Sequence, residues 1–302
     1  MIPWITYSDA ITEALRVEMR LDHTVLCLIG ASNGSRRPTD ELQREFGPSR
    51  VREHGGAPSV LAAAAAAASE GMRPVCELNL GDLGDADADA DGLAEAASSG
   101  PLVLRLVSGG DPGAERAAGW KALLAAAPNL KLVSPATASD AKGLLISAIR
   151  DPDPVCFVES RDLYTVSDGV PEGDHTVRLG EARLVSQGTE IVVLTHGAGA
   201  VAARQATEKM PGEIGLMDLR TLRPLDGEAI VECVRETGKV LIVEQPGAAT
   251  GLAADLVEVI NDGALEFLDA PIRELGIDAG ATGPNGDWPE NVEEACRELV
   301  AF

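Results

Sequence analysis

Aromatic side chains are scarce in this chain, with 4 Phe, 2 Tyr and 3 Trp among 302 residues. A missing aromatic at any one position therefore says little, because sparing them is a habit of the whole sequence. Positive charge is scarce too. Against 48 Asp and Glu stand only 25 Lys and Arg, for a formal net charge of −23 and a pI near 4.5. Nucleic acids and anionic membranes are themselves negative, so this balance argues against both as partners. No apolar run approaches the roughly 20 residues that would cross a bilayer. The opening stretch MIPWITYSDAITEALR is amphipathic and lacks the basic-then-apolar layout of a secretory signal. The five cysteines, Cys27, Cys76, Cys156, Cys233 and Cys296, include no CxxC pair. Four of them lie in apolar or helical stretches, as buried thiols of a reducing compartment do. The expectation is a soluble, cytoplasmic protein, long enough to bury a full core in two domains.

What the chain does have is regular alternation. Short apolar runs at Thr24–Ile29, Val75–Leu80, Leu102–Val107, Leu130–Ser134 and Val155–Glu159 read as strands. Helical stretches at Ser8–Arg20, Ser59–Glu70, Trp120–Ala126 and Ser139–Ile149 separate them. Strands of this length joined by helices imply βαβ units and an α/β fold with a mostly parallel sheet. In SDGVPEGDHTVRL (Ser167 to Leu179) turn formers cluster and the periodicity lapses, which puts a boundary near Leu179–Gln187. The expected domains are residues 1–182 and 183–302.

Two segments are compositionally odd. The run Ala62–Ala68 follows a Gly-Gly-Ala-Pro-Ser turn, and alanine is the strongest helix former, so it reads as a close-packed core helix. GDLGDADADADG, Gly81 to Gly92, lacks the glycine and distal glutamate of a calcium-binding EF-hand loop. It is expected to be a solvated loop.

The most specific stretch is DLRTLRPLD, Asp218 to Asp226, flanked by EIVVLT (Glu190 to Thr195) and KVLIVE (Lys239 to Glu244). With TYSDAITEALRVEM, EFGPSRV, GMRPVCE and PNLKLVSPATASDAKGLLISAIRDPDPVCFVES in order before it, the chain resembles the beta subunits of thiamine-diphosphate-dependent 2-oxoacid dehydrogenases, within the transketolase superfamily. The resemblance covers about Ile5 to Leu299. It implies a pyrimidine-binding α/β domain followed by a transketolase C-terminal α/β domain. It also implies an alpha subunit, commonly in an α2β2 assembly, that holds the diphosphate and Mg2+. This chain has no GDG…N diphosphate–metal motif of its own.

The family's chemistry needs a buried acid hydrogen-bonded to the pyrimidine ring nitrogen, so that the amino group can take a proton from the thiazolium carbon. The resemblance puts that acid at Ala57 or Pro58, and neither is a carboxylate. The family's Gly-Glu-Asp acid corresponds to Ala31, and its aromatic wall to Leu80-Gly81-Asp82-Leu83. Its two active-site histidines correspond to Arg116 and Ala126. On this alignment Ala31, Gly56, Ala57, Leu80 and Arg116 line the cofactor, and Glu53 and His54 are the candidate replacements for the acid. A structural K+ site is implied at Leu102, Ala148, Ile149, Asp151 and Asp153, where a helix C-terminus offers free carbonyls. His196, in a glycine turn, reads as structural.

The function implied is a beta-like subunit of a heteromeric enzyme that decarboxylates a 2-oxoacid or moves a two-carbon ketol or acyl unit. Its acceptor is left open; a carrier thiol on an acyl-carrier or lipoyl-type domain is one candidate. The alternative is a catalytically degenerate subunit that stabilises an active alpha-like partner.

Overall fold

A computed structural model describes residues 2–30, 37–83, 86–109, 127–244, 252–276 and 287–302. The chain divides into two compact units, Met1–Leu179 and Gly180–Phe302.

The first unit runs β1 (Trp4–Thr6), α1 (Tyr7–Leu21), β2 (Val25–Ile29), α2 (Asp40–Phe46), β3 (Val51–Glu53), α3 (Ala57–Ser69) and β4 (Arg73–Asn79). It continues with α4 (Ala86–Ser98), β5 (Val103–Ser108), β6 (Lys131–Val133), α5 (Ala138–Arg150), β7 (Val155–Ser160) and β8 (Ser167–Gly169). Side-chain caps start two of these helices where the sequence supplies them. The hydroxyl of Thr6 accepts from the Asp9 N–H before α1, and that of Thr137 from the Asp140 N–H before α5. The main strands of this unit lie in the order β6-β7-β5-β4-β2-β3 and pair in parallel throughout. Strands β2, β5 and β7 are buried at every residue, as a sheet covered on both faces requires.

Helix α3 buries Ala57, Val60, Leu61, Ala64, Ala65 and Ala68, so its alanines do let it lie close against its neighbours. The expected loop at Gly81–Gly92 is corrected: its second half is the start of α4. Alternating alanine favours the helix, and burial of Leu93, Ala96 and Ala97 fixes it, with Gly92 facing Leu61 of α3. The expected helix at Trp120–Ala126 lies outside the described residues.

The second unit contains β9 (Arg183–Ser186), β10 (Ile191–Thr195), α6 (Gly197–Lys209), β11 (Ile214–Asp218) and β12 (Thr221–Arg223). It ends with α7 (Gly227–Thr237), β13 (Val240–Glu244), α8 (Leu252–Ala264), β14 (Arg273–Gly276) and α9 (Trp288–Val300). Its sheet has the order β14-β13-β10-β11-β9, parallel except where β9 meets β11. No helix among the described residues is long and apolar enough to cross a membrane. All five cysteines are free and buried, and burial pushes the Cys27 thiol up to about 12 and that of Cys233 to about 11.

Candidate active site at the carboxyl ends of the parallel strands

In an open parallel sheet, ligands bind beyond the carboxyl ends of the strands, where the strand order reverses. Strand β2 is such a place in the first unit. It pairs with β3 on one side and β4 on the other, and the chain visits β3 before β4. The β3–α3 turn, Glu53 to Ala57, leaves from this edge, and Leu80 follows the end of β4.

Four of the residues expected to line the cofactor or replace the acid are gathered in that turn. The N–H of His54 donates to Ile29 O at 2.8 Å, which ties the turn to the end of β2. His54 Nδ1 lies 3.3 Å from Ser59 Oγ, while Nε2 is buried with no hydrogen-bond partner among the described residues. Gly56 precedes α3, and a Cβ on Gly55 or Gly56 would meet nothing within 4 Å. Ala57 opens α3 with 2% exposure, and Pro58 follows it, so the start of this helix carries no carboxylate. Glu53 is mostly exposed and is 3.3 Å from Arg37 Nη2. Leu80 is fully buried. Ala31, Arg116 and Ala126 lie outside the described residues.

Beneath the turn lies a polar network. The register sets Glu77 of β4 beside Arg105 of β5, and Glu159 of β7 beside Val107, two residues further along on the same face. Arg105 Nη1 reaches Glu77 Oε2 at 2.7 Å, and its Nε and Nη2 reach Glu159 at 2.5 and 3.0 Å. Thr39 Oγ1 donates to Glu77 Oε2 at 3.0 Å, and the Tyr164 hydroxyl to Glu159 Oε2 at 2.8 Å. Burial opposes the charge on Arg105, but Glu159 and Glu77 outweigh it and raise its pKa well above the usual arginine range. Burial pushes the Glu159 carboxyl up, against the pull of Arg105. Burial, then the charge of Glu159, push the Tyr164 hydroxyl far above an ordinary phenol, so it stays a donor. Two carboxylates around one guanidinium leave one negative charge over, and Arg37 Nε stands 4.0 Å from Glu77 Oε1 to meet it.

Sequence reasoning missed this network. Its one signal was a charged residue inside each of three otherwise apolar runs: VCELN, VLRLVS and VCFVES.

The expected K+ residues do come together between α5, β5 and β7. Ile149 O and Asp151 O accept from Arg73 Nη1 at 2.8 and 3.1 Å. Leu102 O accepts from the Val155 N–H at 2.9 Å, and Ala148 O from the Asp151 N–H at 3.3 Å. Lys131 Nζ binds the Asp151 carboxylate at 2.8 and 2.9 Å and lies 3.0 Å from Asp153. His196, at the end of β10, is buried in the second unit, and burial drives its pKa down to about 4.

Comparison with known proteins identifies both domains. Residues 4–167 match the model of the transketolase pyrimidine binding domain, and residues 180–288 that of the transketolase C-terminal domain. The 2-oxoisovalerate dehydrogenase subunit beta of Bacillus subtilis is 35% identical, over 99% of this chain and 99% of the relative. The pyruvate dehydrogenase E1 component subunit beta of the same organism is 35% identical, over 90% and 89%. A solved structure described as a split gene transketolase, inactive beta4 tetramer, superposes with a TM-score of 0.76 at 18% identity, covering 98% of each chain. Transketolase from Leishmania mexicana superposes at 0.65 with 18% identity, over 99% of this chain and 46% of that one. The two structural likenesses speak to the fold; the sequence matches go further, and by them this chain belongs to the beta subunits of thiamine-diphosphate-dependent 2-oxoacid dehydrogenases, built from the transketolase pyrimidine-binding and C-terminal domains.

Proposed function

We propose that the chain forms the pyrimidine side of a thiamine-diphosphate site that an alpha-like subunit completes in an α2β2 assembly. The alpha-like partner holds the diphosphate and Mg2+. The complex takes a 2-oxoacid, releases CO2 and passes the remaining fragment to the disulfide of a lipoyl-type domain. One sulfur takes the acyl group and the other leaves as a thiol, so the disulfide accepts the two electrons, whereas an acyl-carrier thiol would need a separate two-electron oxidant. The cofactor, when bound, supplies the carbon nucleophile and electron sink for that chemistry.

The observation that supports this most directly is at His54. Its Nε2 is buried at the switch-point edge with no partner among the described residues, beside two glycines that leave open space. A buried ring nitrogen without a partner is costly, and a heteroaromatic ligand edge would satisfy it. Of the two candidate replacements for the acid absent at Ala57 and Pro58, His54 offers the buried nitrogen, while Glu53 is mostly exposed and bonded to Arg37. Gly56 and Ala57 allow the ring to approach and Leu80 adds to the lining; Ala31 and Arg116 are the further cofactor residues that the resemblance assigns. A K+ ion, held by the carbonyls of Leu102, Ala148 and Ile149 with Asp151 and Asp153, ties the end of α5 to β5 and β7. Arg73 Nη1 and Lys131 Nζ now occupy several of these oxygens, so the ion would bind in exchange for those two cations rather than beside them.

The test is co-expression with an alpha-like subunit that carries an intact GDG…N motif. The reading expects a stable complex that decarboxylates a 2-oxoacid with thiamine diphosphate and Mg2+. A complex that assembles and binds cofactor, yet loses nothing on His54→Ala and Glu53→Gln, would overturn the assignment of the acid's place.

A further inference from the structure

Arg37 joins four segments at the switch-point edge, through Gly30, Asp40, Glu53 and Glu77. Its Nη1 donates to Gly30 O, just past β2, at 3.1 Å, and its Nη2 to Glu53 Oε1, the last residue of β3, at 3.3 Å. Its Nε donates to Asp40 Oδ1 at the start of α2 at 3.2 Å, and its backbone N–H to Asp40 Oδ2 at 2.9 Å. The same Nε lies 4.0 Å from Glu77, which the buried Arg105 and Thr39 hold fast. Pro38 O accepts from Thr12 Oγ1 of α1 at 2.8 Å, so the segment that carries Arg37 is itself anchored. Only a guanidinium, with several donors in a fixed fork, can serve such divergent acceptors at once.

Besides the His54 N–H bond to Ile29 O and the approach of His54 Nδ1 to Ser59 Oγ, the turn that Arg37 grips has few ties among the described residues. Strand β3 has three residues and pairs only with β2. After it come His54 and two glycines, and glycine leaves backbone conformation open. Beyond them α3 is secured by its buried face. The pose of the turn therefore depends on its β3 end, where the ladder to β2, the His54 N–H bond to Ile29 O and the Arg37–Glu53 contact are the ties.

We propose that Arg37 is a positioning residue for the β3–α3 turn: acting through Glu53, it fixes the pose in which His54 Nε2 meets the pyrimidine edge. Glu53 is then the tether of the turn, and His54 alone of the two touches the cofactor. This rests on the site assignment proposed above. An exposed ion pair contributes little to global stability. The effect to look for is local, because a small misplacement of a reacting group is felt strongly in rate.

Two measurements test it. Hydrogen–deuterium exchange on the full-length chain, without cofactor, follows the His54 amide against those of Leu104 and Leu106 in β5. In Arg37→Met the His54 amide is expected to exchange about tenfold faster with β5 unchanged, and Arg37→Lys, which keeps the charge but not the fork, restores it only in part. In the assembled complex, Arg37→Met is expected to slow thiazolium C–H exchange about tenfold while cofactor affinity, set by the diphosphate side, stays within about twofold. Unchanged exchange at His54, or equal acceleration throughout the sheet, would overturn the positioning role. His54→Asn separates the two readings. If it abolishes C–H exchange while Arg37→Met changes neither measurement, only the positioning role fails. If it is indifferent in a complex that exchanges well, the site assignment fails and the positioning role fails with it.

Discussion

Arg105 reaches diagonally to Glu159 on the adjacent strand through two bonds, of 2.5 and 3.0 Å, and neither side chain reaches solvent. With Glu77 on the other side of the guanidinium, the three make a buried charge cluster that only complete pairing can sustain. Removing one partner from such a cluster costs about 3–5 kcal/mol, because the buried carboxylates left behind lose the guanidinium that neutralises them. Arg105→Met is therefore expected to lower unfolding stability by about that amount in urea titration. The loss should grow as pH rises. Burial already raises the Glu159 carboxyl above its unfolded value, so its contribution is present below the unfolded pKa and is lost as pH rises through the folded one. Without Arg105 that trend steepens; a variant whose stability is flat between pH 5 and 8 would contradict it.

The opposite sign is expected at His196. Burial drives its pKa from 6.5 down to about 4, so the folded state keeps it neutral where the unfolded chain takes up a proton. Its contribution is complete above the unfolded value and is lost as pH falls from about 6.5 to about 4, a change on the order of 3 kcal/mol. His196→Gln should flatten the stability profile in that window. An unchanged slope in the variant would show that other groups cause it.

Helix α5 also grips the segment that leads out of the first unit. Lys142 Nζ donates to Pro171 O at 2.6 Å, Ser139 Oγ lies 3.1 Å from His175 Nε2, and the Val177 N–H donates to Gly143 O at 3.2 Å. A Cβ on Gly143 would stand 2.5 Å from Val177 Cγ2 and 3.0 Å from its backbone nitrogen. Gly143→Ala should lift the segment, cost about 1–3 kcal/mol and speed proteolysis between Pro171 and Leu179. Wild-type resistance to protease in this variant would show that the segment is held elsewhere.

Much of the fold was legible because the central strands β2, β4, β5, β7, β10, β11 and β13 sit in short apolar runs, whereas β3 (VRE), β8 (SDG) and β14 (RELG) carry no such signal. The turn from Glu53 to Ala57 was found by resemblance, and the structure places it at a strand-order reversal. Glu77, Arg105 and Glu159 were missed for a physical reason. A charge inside an apolar run looks like an interruption until the register shows which charge stands beside it. Arg37 was missed because its acceptors come from three separate segments, at Gly30, Asp40 and Glu53. The stretch Gly81–Gly92 misled because its alternating Asp suggested solvent exposure, whereas packing of Leu93 and Ala96 recruits its second half into α4.

If K+ binds at the end of α5, replacing choline chloride by KCl at constant ionic strength should raise the Tm, and Asp151→Ala should remove the increase. The gain follows mass action, about 2.7 kcal/mol at a hundredfold excess over Kd. Equal melting in both salts would mean that Arg73 and Lys131 already supply all the positive charge the α5 end accepts.

The central claim, that this chain is the pyrimidine half of a site shared with an alpha-like subunit, is tested most directly by calorimetric titration with thiamine diphosphate and Mg2+. The chain alone should give no measurable heat of binding, since it has no diphosphate–metal motif, and the complex with an alpha-like subunit should bind at micromolar Kd or tighter. Micromolar binding by the chain alone, or none by the assembled complex, would contradict it.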